Sequence, residues 1–436
     1  MDKLVIEGGH PLEGSVTTCG SKNAVLPILC ASLLTGERVR ITNAPRLSDV
    51  ATMLKVLGDL DSMAERNADG SVEIRSAEKP ENRAGWENVR KMRGSVTVMG
   101  PLLARTGRAE VSLPGGCVFG VRPIDLHLKG LQALGARIKV EHGYVIAEAP
   151  RGGLRGGEVY LQGPMGSTVL GTANVMMAAT LAKGRTVIHG AACEPEVEDL
   201  GRCLSKMGAK IQGLGSPRIE IEGVSELGGV DHAVIPDRIE AATYVIAGAM
   251  SGGRVRVERC NPEHLAALLD RLWEARVPFE AGADWIETQP YHPRDPARRP
   301  RATDVTTHPH PGFPTDAQAQ WMALMTLADG ISVIHETIYP DRYMHIAELA
   351  RLGAHVRRQG TTAIVQGTDR LSGAPVMASD LRASAALVLA GLVADGTTEV
   401  HRVYHIDRGY ERIEERLQGL GAVIERVDDK EPVETH

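Results

Sequence analysis

One pattern of small and apolar residues returns six times along the chain. It occupies residues 26–36, 96–107, 173–184, 242–253, 321–330 and 383–396. Each run is apolar on nearly every face of a 3.6-residue helix, so it predicts a helix buried on all sides rather than an amphipathic surface helix. Each run closes at a glycine, at positions 36, 107, 184, 253, 330 and 396, which suits the left-handed residue that commonly ends a helix. A short strand follows each run. A second helix then leads into a turn of the type Leu134-Gly135-Ala136, Met207-Gly208-Ala209, Leu352-Gly353-Ala354 or Leu420-Gly421-Ala422. Leu57-Gly58-Asp59 reads as a weaker copy, and Glu274-Ala275-Arg276 as one that has lost its glycine. Segments such as 137–140 and 144–148 supply two further strands. The predicted repeat is therefore helix, strand, helix, strand, strand, about 72 residues long, which is longer than the usual solenoid repeats. Six such repeats divide into two domains of three, with a crossing near Ile235-Pro236-Asp237. The fold class expected is α/β, each domain being three buried parallel helices wrapped by outer helices and sheets.

Polar residues interrupt the apolar pattern just before each buried helix. They are Lys22 with Asn23, Arg93, Ser167 with Thr168, Arg238 with Glu240, Asp316, and Asp380 with Arg382. A helix N-terminus carries unpaired backbone N–H groups and the positive end of the helix dipole. Parallel helices in two facing domains would bring six such ends to one cleft, an arrangement suited to anions. Asp316 and Asp380 also suit the role of N-cap. Arg408 stands in a loop before the last outer helix. Residues 113–127 hold Cys117, Arg122 and Asp125 in a glycine-rich stretch, where a thiol and a guanidinium on a flexible backbone suggest a catalytic lid.

Composition narrows the function. The chain has 436 residues with 43% hydrophobic positions, long enough for two cores. Its 49 basic and 55 acidic residues nearly balance, and aromatic residues are only 3%, so a nucleic-acid surface is not expected. No apolar run reaches the roughly 18 residues of a membrane span, and the first residues lack the pattern of a signal peptide. The six cysteines form no C-x-x-C pair, which fits a reducing cytoplasm and gives no zinc signature. Gly20-Ser21-Lys22 breaks the order of a phosphate-binding P-loop. The proline-rich stretch 290–300 reads as a connection.

Seven segments resemble the enolpyruvyl transferases: 20–27, 91–95, 113–127, 236–240, 308–318, 380–384 and 405–413. The cysteine loop is similar to that of the branch acting on a nucleotide sugar in bacterial cell-wall synthesis. The resemblance implies an inside-out α/β barrel of two three-fold domains. It places residues 1–21 with 236–436 in one domain and 22–235 in the other. It implies transfer of the enolpyruvyl group of phosphoenolpyruvate to the 3-hydroxyl of UDP-N-acetylglucosamine, with phosphate released by addition and elimination, at the first committed step of peptidoglycan precursor synthesis. Cys117 would act as the acid and form an adduct with phosphoenolpyruvate, and Asp316 would be the base. Lys22, Arg122 and Arg408 would hold the phosphate and carboxylate, with Asn23, Asp380 and Arg382 shaping the same pocket. Nucleotide-sugar contacts would come from Asn23, Arg93, Arg122, Pro123, Ile124, Asp125, Leu126, Gln162, Gly163, Pro164, Met165, Gly166, Asp316 and Ile338. No metal, cofactor, nucleic acid, membrane or obligate protein partner is implied. Gln162 and Pro164 stand where the family often has a lysine and a serine. That departure keeps open transfer to another nucleotide or nucleotide sugar, and a non-catalytic nucleotide-sugar-binding protein is the remaining alternative.

Overall fold

Six four-stranded sheets, one per repeat, carry the chain in the computed structural model, which describes residues 2–113, 124–293, 295 and 297–428. The chain divides into two compact lobes. The first is Met1–Thr18 with Pro236–His436, and the second is Cys19–Ile235. Each lobe has its own apolar core, and no residue belongs to both.

Every four-stranded sheet is built to one plan. In the second repeat the strand Arg108–Ser112, which follows the inner helix Met99–Thr106, lies between two neighbours. One is the short parallel strand Arg83–Ala84, which precedes the inner helix; the other is the antiparallel strand Tyr144–Glu148. The strand Arg137–Glu141 then pairs antiparallel with Tyr144–Glu148 at the edge. The first repeat takes its parallel strand from Val230–Ala233, which lies on Val39–Thr42. In the first lobe the N-terminus does the corresponding work. Glu13–Thr17 lies parallel on Arg254–Glu258, and Asp2–Glu7 runs between Thr397–His401 and Val423–Asp428 as an inner strand. Leu4 and Ile6 on that strand are fully buried. The repeat is thus helix, strand, helix, strand, strand, as the sequence pattern predicts, with a fourth, parallel strand in each sheet that the pattern does not show; the sixth copy borrows its last strand, and the fourth its parallel strand, from the start of the chain.

The inner helices are buried on all sides because almost no position offers water a polar group. All thirteen residues of Leu381–Val393 are buried, and so is all of Gln318–Met325. In the first lobe Arg238–Ser251, Gln318–Met325 and Leu381–Val393 pack against one another.

The glycine expectation needs correction. Gly107 does end Met99–Thr106 in the left-handed region, with φ 77° and its N–H on the Leu103 carbonyl. Gly252, not Gly253, ends Arg238–Ser251. Gly36 has no positive φ, and Gly184, Gly330 and Gly396 lie beyond their helices, which end at Thr180, Met325 and Val393. Between helix and glycine, Lys183, Asp329 and Asp395 each make an isolated parallel bridge. Those three glycines therefore turn the chain into the strand. The outer-helix turns also shift register. Asp61, φ 58°, and Arg276, φ 60°, hold the left-handed place that glycine takes at 135, 208, 353 and 421. The weak copies are Leu60-Asp61-Ser62 and Ala275-Arg276-Val277, one or more residues beyond the triplets that sequence similarity selects.

Candidate functional site

In the first lobe, a carboxylate and two guanidiniums meet where the inner helices begin. Asp316 lies in a single 3-10 turn, Thr315–Ala317, that leads into Gln318–Met325. Its Oδ1 accepts from Arg342 Nη1 at 2.7 Å and its Oδ2 from Arg382 Nη2 at 3.2 Å. Arg342 and Arg382 are 6% and 1% exposed, so the guanidiniums are shielded from water, while the Asp316 side chain is 23% exposed. Burial opposes the charge on Arg342, but the Asp316 and Asp380 carboxylates outweigh it and hold the guanidinium more firmly protonated than usual. The same balance of burial against Asp316 raises Arg382. Asp380 caps Leu381–Val393, its Oδ1 accepting from the N–H groups of Arg382 and Ala383 at 2.8 and 3.1 Å. Asp237 caps Arg238–Ser251 in the same manner. Asp380 is thus an N-cap, whereas Asp316 spends its side chain on two arginines.

Glu336 shapes the turn carrying Ile338. Its Oε1 accepts from the N–H groups of Ile338 and Tyr339, both at 2.9 Å, and from Thr307 Oγ1 at 2.8 Å. Its Oε2 accepts from Thr315 Oγ1 at 2.9 Å, beside Asp316. His345 begins the next outer helix, and burial keeps its imidazole neutral, with a pKa lowered to about 4. Arg408 ends the 3-10 segment Val403–Arg408 and is half-buried.

In the second lobe, Lys22 is the first residue of Lys22–Ala31, whose N-cap is Ser21. Its Nζ pairs with Asp49 Oδ2 at 2.8 Å, the two side chains being 11% and 4% exposed. Asp49 stands in the first turn of Ser48–Asp59, where a carboxylate also meets the positive end of the dipole. Asn23 is half-buried beside Lys22, and Arg93 opens the segment Arg93–Val98. Asn174, fully buried, ties three elements together. Its Oδ1 accepts from Gly100 N at 2.6 Å, and its Nδ2 donates to Val96 O at 3.2 Å and to His127 Nδ1 at 3.1 Å. An accepting Nδ1 leaves the proton of neutral His127 on Nε2. Burial and the nearby Arg93 charge lower its pKa to about 3.

His127 lies on Asp125–Ala133, which brings Ile124, Asp125 and Leu126 to one helix start. Gln162–Gly163 and Gly166–Ser167 form a two-stranded hairpin with exposed Pro164 and Met165 at its tip. Gln162 Oε1 accepts from the Tyr160 hydroxyl at 2.6 Å. A β-carbon added at Gly163 would lie 3.4 Å from Leu126 Cδ1, so hairpin and helix start are neighbours. Thr168 caps the inner helix Val169–Thr180.

The structure thus joins Asp316, Asp380 and Arg382 in one lobe, and Leu126 with the 162–167 hairpin in the other. Cys117, Arg122 and Pro123 lie outside the described residues. Burial pushes the thiols of Cys30 and Cys203 up to about 12 and that of Cys260 to about 11, which makes them unreactive. Among the described residues no group of three or more His, Cys, Asp or Glu side chains is placed to hold a metal ion. None of their helices is long and apolar enough to cross a membrane. Sequence reasoning missed Arg342, Asp49, Glu336 and Asn174. Arg342 had a signal: Asp341-Arg342 repeats the dipeptide Asp407-Arg408 one repeat earlier. Asp49 is an acidic residue in an outer helix, and nothing in its neighbours marks it.

Comparison with known proteins defines the class. The sequence profile of the EPSP synthase (3-phosphoshikimate 1-carboxyvinyltransferase) family matches residues 6–417, and the chain belongs to that family. Two curated relatives fix the branch. UDP-N-acetylglucosamine 1-carboxyvinyltransferase of Anaeromyxobacter sp. (strain Fw109-5) is 54% identical over 431 residues, covering 98% of this chain and 99% of its own. The protein of that name from Methylacidiphilum infernorum (isolate V4) is 53% identical over 430 residues, covering 99% and 100%. Among solved structures, the enolpyruvyl transferase NikO from Streptomyces tendae matches with a TM-score of 0.85 at 25% identity over 98% of both chains. An EPSP synthase from Acinetobacter baumannii matches at 0.73 with 18% identity over 98% and 100%, a likeness of fold. The mixed α/β architecture of many small sheets is the fold of these enzymes.

Proposed function

We propose that the protein transfers the enolpyruvyl group of phosphoenolpyruvate to the 3-hydroxyl of UDP-N-acetylglucosamine and releases phosphate. The observation that carries this reading is the identity above 50% over nearly the whole chain to two relatives of that name. The paired Asp316 and the charged helix starts support it. Asp316 takes the proton of the sugar hydroxyl as it attacks the enol carbon, while Cys117 delivers a proton to the methylene carbon and can capture phosphoenolpyruvate as an adduct. Phosphate then leaves the tetrahedral ketal as the methyl group returns a proton to the Cys117 thiolate and the double bond re-forms. Lys22, Arg122 and Arg408 are assigned the phosphate and carboxylate, because fixed cations stabilise charge as it gathers on the leaving group. Asn23, Asp380 and Arg382 shape the phosphoenolpyruvate pocket. Arg93, Pro123, Ile124, Asp125, Leu126, residues 162–166 and Ile338 are assigned the nucleotide sugar. The chemistry is acid–base and electrostatic, and we assign it no metal or cofactor. We read the two lobes as the two domains of an inside-out α/β barrel, and the protein as a cytoplasmic enzyme whose partners are its small-molecule substrates.

A second reading keeps the reaction and changes the acceptor. Gln162 and Pro164 sit on the exposed hairpin where family members often have a lysine and a serine, and this favours a different nucleotide or nucleotide sugar. Phosphate release from phosphoenolpyruvate, measured with a panel of acceptors, tests both. The main reading expects release with UDP-N-acetylglucosamine at least tenfold faster than with any other acceptor. Faster release with another nucleotide would replace it by the second, and no release with any acceptor would leave a binding protein.

A further inference from the structure

Tyr410 lies two residues beyond Arg408 and is 1% exposed, yet its hydroxyl is the meeting point of three inner-helix side chains. Arg382 Nη1 and Gln320 Nε2 both donate to it at 3.2 Å, and Thr243 Oγ1 is 2.8 Å away. Proton counting gives the direction of the chain. Gln320 Nε2 also lies 3.2 Å from Thr243 Oγ1, so its two protons are shared among three acceptors. Neither Arg382 nor the Gln320 amide nitrogen can accept, so the tyrosine's own proton goes to Thr243 Oγ1. Thr243 passes its proton on to the Ile239 carbonyl at 2.8 Å. Gln320 is held in register by the Asp316 carbonyl, to which Nε2 also donates at 3.1 Å. Thr243 and Gln320 are fully buried, so no water competes.

The consequence falls on Asp316. One end of the Arg382 guanidinium is fixed on Tyr410, and the other faces Asp316 Oδ2 at 3.2 Å. We propose that Tyr410 is a positioning residue for the proton acceptor Asp316: its hydroxyl holds Arg382 in the one orientation that pairs with the carboxylate. This inference rests on the reading of Asp316 as the base. Other groups also act on Asp316. Arg342 binds it directly from the loop before His345–Arg351. Asp380 and Asp237 stand at the starts of two inner helices, His345 lies near Arg342 and Asp380, and His405 lies near Arg408 and Asp380. A phenylalanine at 410 leaves all of these in place and removes the hydroxyl, which is the acceptor for Arg382 and Gln320 and the donor to Thr243. With Arg382 released, one of the arginines that favour the ionised carboxylate is lost, so Asp316 should gain a proton at higher pH.

The experiment is the pH profile of kcat for Tyr410→Phe, with Thr243→Val as a second variant that removes the acceptor of the tyrosine proton. The expected result is a fall in kcat of roughly tenfold to a hundredfold, as a misplaced catalytic group produces. KM for both substrates should stay within about threefold. The acidic limb of the kcat profile should move to higher pH in both variants, less in Thr243→Val. An acidic limb that superimposes on that of the unaltered enzyme in both variants would overturn the inference, whatever happens to thermal stability. If Tyr410→Phe does not fold, Thr243→Val alone decides. Asp316→Ala, run in parallel, separates the two levels of the argument. Near-normal turnover there removes Asp316 as the base. Lost turnover there with an unmoved limb in the tyrosine variant removes only the role of Tyr410.

Discussion

A carboxylate between two guanidiniums holds its charge well but must still accept a proton to serve as a base. Asp316 meets this condition if its ion pairs loosen as the sugar hydroxyl arrives, so the arginines and the substrate compete for one group. Asp316→Ala should leave nucleotide-sugar binding within a few-fold, read by calorimetry, while phosphate release falls by at least about a hundredfold. Lys22 and Asp49 form the corresponding shielded pair of the second lobe. Lys22→Met leaves Asp49 with its charge buried and this partner gone, and should cost about 3 kcal/mol by urea denaturation. Adding Asp49→Asn should restore more than half of that loss, and a double variant as unstable as the sum of the singles would show that the pair does not couple. Two of the three buried histidines among the described residues, His127 and His345, contribute to the acid response. His127 and His345 titrate at about 3 and about 4, below the ordinary value of 6.5. An unfolded chain binds protons at these groups that the native chain refuses. Stability is therefore full above pH about 6.5 and is lost as pH falls toward about 4, by up to about 1.4 kcal/mol per pH unit for each group. His345→Gln should flatten the stability profile between pH 4 and 6.5, and an unchanged slope would mean that another group carries it. At this scale the sequence showed Asp316, Asp380, Arg382 and Lys22 because they stand at helix starts. It hid Arg342 and Asp49 because an ion pair between residues far apart in the chain leaves no local pattern, only the recurring Asp-Arg dipeptide that marks Arg342 in hindsight.

At the scale of elements, the inner helices are legible because a helix with no polar face can only be a core helix. Their termini are less so. Of the two N-caps expected from residue type, Asp380 is one and Asp316 is not, while Asp237 caps a helix without having been singled out, because capping depends on which oxygen reaches which N–H. Asp237→Ala should cost about 1–2 kcal/mol, and Asp237→Asn much less, because the amide oxygen keeps the acceptor. Glycine marks were read too uniformly: a glycine after a helix served as helix end at 107 and as strand entry at 184, 330 and 396. The two uses look alike in sequence because both need a positive φ. Gly107→Ala tests the backbone cost alone, since a β-carbon there would meet nothing within 4 Å. It should lower stability by about 1–2 kcal/mol and leave turnover unchanged. A larger loss would point to packing that the geometry lacks. Asp61 and Arg276 hold left-handed turns without glycine, so motif matching placed those two turns wrongly.

On the scale of the whole molecule, the repeat count and the α/β class were legible from period alone, and the cores of the two lobes share no residue. The role of the N-terminus was not: the expectation that residues 1–21 join 236–436 came from the family resemblance alone. Nothing in residues 2–17 announces that they supply strands to a lobe whose other residues begin at 236, because strand pairing across more than 200 positions depends on the fold. Removing residues 2–17 takes Leu4, Ile6, Leu12 and Val16 out of the first core. Hydrogen exchange should then show lost protection in Thr397–His401 and Arg254–Glu258, with the strand Val39–Thr42 of the second lobe still protected. Retained protection in Thr397–His401 would show that its sheet does not need the N-terminal strand. The cysteine loop remains the place where sequence says most: Cys117 and Arg122 enter through motif alone. Fosfomycin, an epoxide resembling phosphoenolpyruvate, should add to Cys117 in the presence of nucleotide sugar, and an unchanged intact mass would argue against a reactive thiol.

The central claim is a group transfer, and the product tests it most directly. The enzyme is incubated with phosphoenolpyruvate and UDP-N-acetylglucosamine, and the nucleotide sugar is recovered and analysed by mass spectrometry. The account expects the sugar to gain one enolpyruvyl group for each phosphate released. Recovery of the nucleotide sugar unchanged by an enzyme shown to be folded and to bind it would contradict the account.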